Sequence, residues 1–228
     1  MILGGYISYV IVPRIHSSII GNLLILILIG LLVGSLTFWI TVKPFLKTKL
    51  AVISATLAWA VIMGNGIFIL QGSDSFSIRR YFPSPRIIAV DGVVLTDTRL
   101  CVFFAALSVI VMIGLLLYYS DLGLKLRAYA DDDTAALTMG ISTKNILWYS
   151  FMISGVTAML AGFLIAFDFD LEPFSGTGLL IKVYTATVIG GAYYLTRVAA
   201  AAILIGIIEN LVAGYLASEY ALASVFIF

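Results

Sequence analysis

Residues 19–42 carry no charged side chain, and comparable apolar runs recur at 50–70, 99–119, 146–167 and 198–216. A helix needs ~20 predominantly apolar residues to cross a bilayer. Lipid offers no partner for a free backbone N–H or C=O, so such runs must be helical where they cross. Composition agrees: 62% of the 228 residues are hydrophobic and 11% charged, against about a quarter charged in soluble domains. The chain therefore reads as all-α, a polytopic helical bundle whose first partner is the lipid bilayer. A net charge of +1, with no basic stripe, leaves nothing to neutralise phosphates, which excludes a nucleic-acid partner. One cysteine, Cys101, cannot close an internal disulfide. One histidine, His16, with no Cys or carboxylate cluster beside it, predicts no metal site.

Between the spans, short signals organise the loops. Residues 1–12 are apolar but too short to cross alone, and read as the remainder of a span whose start precedes the chain. Residues 13–18 read as a turn. Gly30 with Gly34, Ala158 with Gly162, and Ala202 with Gly206 stand four apart, the spacing that lets helices approach closely in lipid. Lys43, Pro44, Lys47 and Lys49 form a basic loop, which favours the cytoplasmic side. Within the long loop 71–98, RIIAVDGVVLT (86–96) predicts a short extracytoplasmic β-hairpin turning at Asp91 and Gly92, because Asp-Gly accommodates the positive φ of a tight turn. A hairpin there is a candidate docking surface. Residues 179–192 read as a half-helix or tilted span interrupted by Lys182, and 220–228 as a helix that stops partway.

The longest polar stretch with a helix pattern of its own is SDLGLKLRAYADDDTAALTMGISTKN, residues 120–145. Asp131, Asp132 and Asp133 stand directly before Thr134, Ala135, Ala136, Leu137, Met139 and Ile141. Acids at that position accept from the unpaired N–H groups of a helix start and favour its positive end. Gly140 then stops the helix or lets another backbone approach. This predicts a short helix in a loop between two spans, placed to touch a partner.

Inside the apolar runs, Asn65, Glu209 and Asn210 are pathway candidates, since polar groups at membrane depth face protein or a water-filled path. The bland alternatives are an interhelical hydrogen bond for Asn65 and a neutral packed acid, or one reaching water, for Glu209. Asp168, Asp170 and Glu172 do not match a calcium loop and read as a solvated exit. No Gly-Lys dipeptide occurs, so the phosphate-cradling loop of ATPases is absent and energy must come from elsewhere. A carrier coupling ions through Glu209, or a non-transporting assembly subunit, are the competing classes. No Ser-His-acid spacing suggests a hydrolase.

LRAYADDDTAALTMGIS resembles the cytoplasmic motif of ABC importer permeases of the branched-chain amino acid type (LivH-like), with Leu126, Arg127, Ala128, Ala135, Ala136, Gly140 and Ile141 matching. GLLIKVYTATVIGG (178–191) and AAILIGIIENLVAGY (201–215) resemble the C-terminal part of the same family, and MILGGYISY its second span, so a first span would precede the chain. Thr134 stands where the broader motif has Glu, and AYYLTR (192–197) replaces a Gly-rich turn. The resemblance implies one transmembrane permease domain over 1–228, in a prokaryotic inner membrane, importing branched-chain or related small amino acids. It implies no cofactor and no enzymatic activity of the chain itself. Its partners would be separate ABC ATPase subunits, a second similar permease and an extracytoplasmic substrate-binding protein. The coupling helix to the ATPase would comprise Asp133, Thr134, Ala135, Ala136, Met139, Gly140 and Ile141. Asp91 and Gly92 would face the binding protein.

Overall fold

The computed structural model describes residues 1–12, 19–46, 48–72, 74–75, 77–78, 87–90, 93–172, 175–191 and 193–215. They form two compact units, Met1–Phe174 and Ser175–Phe228. The first holds α1 (Ile2–Ile11), α2 (Ile19–Thr37), α3 (Lys49–Gln71), strands β1 (Ile87–Val90) and β2 (Val93–Thr96), α4 (Asp97–Tyr119), α5 (Asp121–Asp131), α6 (Asp133–Thr138) and α7 (Thr143–Asp168). The second holds α8 (Gly176–Gly190) and α9 (Leu195–Tyr215). Among the described residues, 5 helical segments are long and apolar enough to cross a membrane: Gly21–Phe45, Leu50–Gln71, Asp97–Tyr119, Thr143–Asp168 and Leu195–Val212. Ile2–Ile11 and Gly176–Gly190 are shorter apolar helices.

The first unit is built on the crossing of α2 and α7. A Cβ on Gly30 would stand 2.7 Å from Val156 Cα, and one on Gly34 2.9 Å from Met152 Cα. On the other side, a Cβ on Gly155 would stand 2.8 Å from Gly34 Cα. Three missing side chains thus bring two backbones together, which is how helices gain dispersion energy in lipid. Gly30 and Gly34 pack as their spacing predicts. On α7 the matching glycine is Gly155 rather than Ala158, while Gly162 meets Gly5 of α1 instead. Around these crossings Leu26, Ile67, Ile78, Phe163, Ala166 and Leu171 form the buried cluster.

The ends of the helices are tied by polar contacts. Trp148 Nε1 at the start of α7 donates to Ser35 Oγ on α2 at 2.9 Å. Beyond α2 the chain widens into a π turn, Phe38–Val42, and tightens into a 3-10 turn, Lys43–Phe45. Pro44 has no N–H to continue an α ladder, so the regular helix ends before it. The Trp39 ring faces Lys43 Nζ at 3.5 Å and Lys144 Nζ at 5.4 Å. The basic loop and the segment leading into α7 therefore share one end of the bundle, as the alternation of spans requires. At the other end Arg99 Nε lies 3.5 Å from Asp168 Oδ1, and Ile78 N–H donates to Ala166 O at 3.1 Å. The latter satisfies one of the carbonyls that a helix C-terminus leaves unpaired.

The structure is almost entirely helical. β1 and β2 pair antiparallel, Ile87 opposite Thr96 and Val90 opposite Val93, but nothing in this four-residue ladder defines a membrane side. The extracytoplasmic β-hairpin expected from the sequence is accordingly unsupported as such, because pairing reports register and not topology. Asp91 and Gly92, together with the turn at 13–18, His16, Pro173 and the run 220–228, lie outside the described residues.

In the second unit, α8 and α9 pack through Ala186 and Ile205, with Ala201 also buried. The expected pair Ala202 and Gly206 does not form the seam: Ala202 is exposed, and a Cβ on Gly206 would meet nothing within 4 Å. Ala201 and Ile205 keep the four-residue spacing one position earlier, about 100° around the helix. Gly190 lies against the backbone of Val198, 2.6 Å from its N to an ideal Cβ, and Gly191 takes φ +74. Both features make the connection between the two helices short.

Candidate functional site

The polar stretch 120–145 forms two helices rather than one. Ser120 ends α4 and starts α5. Its Oγ donates to the Leu116 carbonyl and accepts from Gly123 N–H at 3.0 Å. Gly123 is buried against the backbone of Leu117, where a Cβ would stand 2.6 Å from Leu117 Cα, so α5 folds back tightly on the end of α4. Arg127 completes this junction: its Nη2 donates to Tyr118 O at 3.2 Å, and its guanidinium lies 5.2 Å from the Tyr118 ring. A cation at a helix C-terminus opposes the partial negative charge there.

α6 is fastened at both ends. Asp132 is its N-cap: one carboxylate oxygen accepts from Thr134 N–H at 2.8 Å, Ala135 N–H at 3.0 Å and Thr134 Oγ1 at 2.6 Å. At the other end Ile141 N–H donates to Ala136 O and Gly140 N–H to Leu137 O, both at 3.0 Å. With Gly140 at φ +82, this is the Schellman arrangement that closes a helix through a left-handed residue. Gly140 therefore stops the helix, and a Cβ there would meet nothing within 4 Å. The side chains divide cleanly. Ala136 is buried at 2% exposure, while Leu137 and Met139 are 53% and 79% exposed. Thr134, Ala135 and Gly140 are also exposed, and Asp133 and Ile141 are half-buried. All seven residues of the expected site thus stand in one short, closed element that displays two large apolar side chains to the outside.

Sequence reasoning missed α5 and the identity of the cap. Ser120-Asp121 before an apolar-periodic stretch was the available signal for α5. Among three consecutive acids, only backbone geometry distinguishes Asp132 as the one outside the helix. The Thr134 hydroxyl, then the Ala135 and Thr134 N–H groups, hold the Asp132 carboxyl below the usual carboxylate range. A carboxyl whose pKa is depressed on folding stabilises the fold above its unfolded value and loses that contribution as pH falls through the folded one. Protection of the Thr134 and Ala135 amides against hydrogen exchange is therefore expected to be steady at neutral pH. It should decline below the ordinary Asp range as Asp132 titrates. Asp132→Ala should lose this protection at every pH, and Asp132→Asn should keep part of it without the pH dependence. Equal protection in wild type and Asp132→Ala would refute the cap.

The pathway candidates differ in their hydrogen-bond partners. Asn65 is exposed on α3 and its Nδ2 donates to Val61 O at 2.9 Å within its own helix. Asn210 likewise donates to Gly206 O at 2.8 Å. Glu209 differs: its Oε1 accepts from Lys182 Nζ at 2.5 Å across the α8–α9 hairpin. Lys182, read in the sequence as an interruption, is thus its charge partner. Asp91 and Gly92 lie outside the described residues.

Apolar helices long enough to cross a membrane, with a short capped helix set between two of them, suit a subunit of a membrane transport system. The comparisons with known proteins agree. The family described as "Branched-chain amino acid transport system / permease component" matches residues 1–228, and the chain belongs to that family. It is 27% identical over 229 residues to a branched-chain amino acid transport permease protein, LivH, of Methanocaldococcus jannaschii, covering 96% of this chain and 71% of the relative. To the high-affinity LivH permease of Escherichia coli K12 it is 23% identical over 232 residues, covering 96% and 75%. To BraD of Pseudomonas aeruginosa it is 26% identical over 180 residues, covering 75% and 57%. No solved structure matches. Family membership supports the permease reading over a self-sufficient carrier working through Glu209.

Proposed function

We propose that this chain is the permease subunit of an ATP-driven importer of the inner membrane, moving branched-chain or related small amino acids inward. Separate ATPase subunits, a second similar permease and an extracytoplasmic substrate-binding protein complete the system. The match to the permease component family over residues 1–228 carries the reading. The relatives that the chain resembles are branched-chain amino acid permeases, and this is the basis for the substrate class.

α6 is the proposed coupling helix, with Leu137 and Met139 entering a groove of the ATPase and Asp133, Thr134, Ala135, Ala136, Gly140 and Ile141 setting its shape. What supports this is its connection to the spans. On one side α5 is strapped to α4 through Ser120, Gly123 and Arg127. On the other, four residues, Met139–Ser142, lead from Thr138 to α7, which is packed backbone to backbone on α2. A displacement of α6 would pass to α4 by one route and to the α2–α7 pair by the other. ATP-driven closure of the partner can shift the spans only if its contacts with α6 differ between the two states. Asn65, Glu209 and Asn210 are proposed to line the path of the solute. The basic loop at Lys43 shares the end of α6, which would be cytoplasmic, and the Arg99–Asp168 end would meet the binding protein.

The test is uptake of leucine by the complete complex in proteoliposomes. Uptake is expected to need ATP and the binding protein, and to fall to background without either. Collapse of the proton gradient at constant ATP should leave it unchanged. Uptake abolished by the uncoupler would contradict the reading and favour an ion-coupled carrier.

A further inference from the structure

The α8–α9 hairpin holds charges that the coupling of α6 does not use. Lys182 stands one helical turn before Ala186, and Glu209 one turn after Ile205, the two residues through which the helices pack. The seam between them therefore continues into an ion pair of 2.5 Å. Glu209 lies in the candidate span Leu195–Val212, about 21 Å along α9 at ~1.5 Å per residue. The pair is thus set inside an apolar helix, where charge is costly and ordinarily marks a solute path. Yet it is not sealed, since the two side chains keep 30% and 26% of their exposure.

Stability is a poor reason for such a pair. Well-packed apolar residues in place of a buried pair often leave a protein as stable or more so, because desolvation offsets the attraction. A reachable ammonium and carboxylate side by side suit one chemistry particularly well. An α-amino acid zwitterion carries a carboxylate and an ammonium on one carbon. If it enters the seam, its carboxylate can take Lys182 and its ammonium Glu209. The single internal pair is then replaced by two external ones, and every charge stays opposed. A solute with only one charge leaves either Lys182 or Glu209 unopposed in a low-dielectric setting, which is penalised.

We propose that Lys182 and Glu209 together form the seat for the zwitterionic head group of the transported amino acid. The proposal rests on the permease reading above and adds to it the residues that read the charge pattern. Lys182 is the new element, because the apolar run around it gives no reason to expect a binding group.

The experiment measures equilibrium binding of leucine to the purified permease–ATPase complex without the binding protein. 4-Methylpentanoate, which keeps the carboxylate alone, and isoamylamine, which keeps the ammonium alone, are compared with it. The wild-type complex is expected to bind leucine at least about tenfold tighter than either analogue, the scale of one charge-assisted hydrogen bond. Lys182→Met/Glu209→Gln removes both charges together, so no unpaired charge remains to disrupt folding. It should assemble with the ATPase and bind leucine about tenfold or more weakly. Reversing the charges with Lys182→Glu/Glu209→Lys should likewise allow assembly without wild-type affinity for leucine. Leucine affinity unchanged in the neutral double variant, or no preference for leucine over the analogues in wild type, would overturn the seat. Absence of leucine uptake by the complete wild-type system would overturn the underlying reading instead, so the two failures are distinguishable.

Discussion

Gly155→Leu is expected to abolish a properly packed complex. A Cβ at Gly155 would stand 2.8 Å from Gly34 Cα and 2.9 Å from Gly34 N, and it would also strike the carbonyl of Gly30. All of these are backbone atoms, which cannot rotate away as a side chain tip can. Accommodation requires α2 and α7 to separate, and separation breaks the neighbouring contacts at Val156 and Met152 together. Overpacking a core costs ~1–3 kcal/mol and occasionally more, and this site belongs at the upper end because both surfaces are helix backbone. Gly155→Ala already places the Cβ in conflict and should give an intermediate loss. Gly206→Ala is the control, since a Cβ there meets nothing within 4 Å and alanine favours a helix by about 1 kcal/mol over glycine. The measurement is thermal unfolding of the purified complex in lipid nanodiscs. The predicted order is Gly206→Ala at or above wild type, then wild type, Gly155→Ala and Gly155→Leu. Wild-type stability for Gly155→Leu would show that the helices do not meet there.

The spans were legible because an apolar run long enough to cross lipid leaves little choice of structure: 146–167 read from the sequence becomes Thr143–Asp168, and 99–119 becomes Asp97–Tyr119. Local chemistry also marked α6, since acids before a helix and a glycine after it act through their own backbone. What spacing alone misplaces is several of the contacts that a second element selects. Four-residue spacing nominated Ala202 and Gly206, but which face of α9 meets α8 depends on the Gly190–Val198 contact, and the seam falls on Ala201 and Ile205. Ala158 was nominated for the same reason, and Gly155 took the role because it lies opposite Gly30 and Gly34. Glu209 could be singled out as an acid in an apolar run, but its partner sits 27 positions away, and only the hairpin brings them together. In the polar stretch, α5 is held by the close approach of Gly123 to the Leu117 backbone, a contact that no spacing within 121–131 reveals.

The second large effect concerns Leu137 and Met139. These are the bulky apolar side chains that α6 exposes, and interface energy concentrates in a few such anchors. Leu137→Asp/Met139→Asp leaves the cap at Asp132, the closing turn at Gly140 and the buried Ala136 in place, so the permease itself should fold. Recovery of the ATPase with it is expected to fall at least about a hundredfold, the consequence of losing two anchors at ~1–2 kcal/mol or more each, and ATP-dependent uptake should fall with it. Gly140→Leu should act differently. The left-handed conformation at φ +82 costs a non-glycine residue ~1–2 kcal/mol, which loosens the end of α6. Recruitment should then decline only partly while transport per ATP drops.

The most direct measurement places a photo-crosslinking side chain at position 139 of the assembled, membrane-embedded complex, with the same group at Phe104 of α4 as the comparison. Met139 is 79% exposed on α6 and Phe104 62% exposed on an apolar span. Irradiation is predicted to join position 139 to the ATPase subunit, with a yield that changes between the nucleotide-free and ATP-bound states, and position 104 to lipid or to the companion permease. An adduct between position 139 and lipid or permease, with none to the ATPase in either state, would contradict the assignment of α6 as the point where the partner's energy enters.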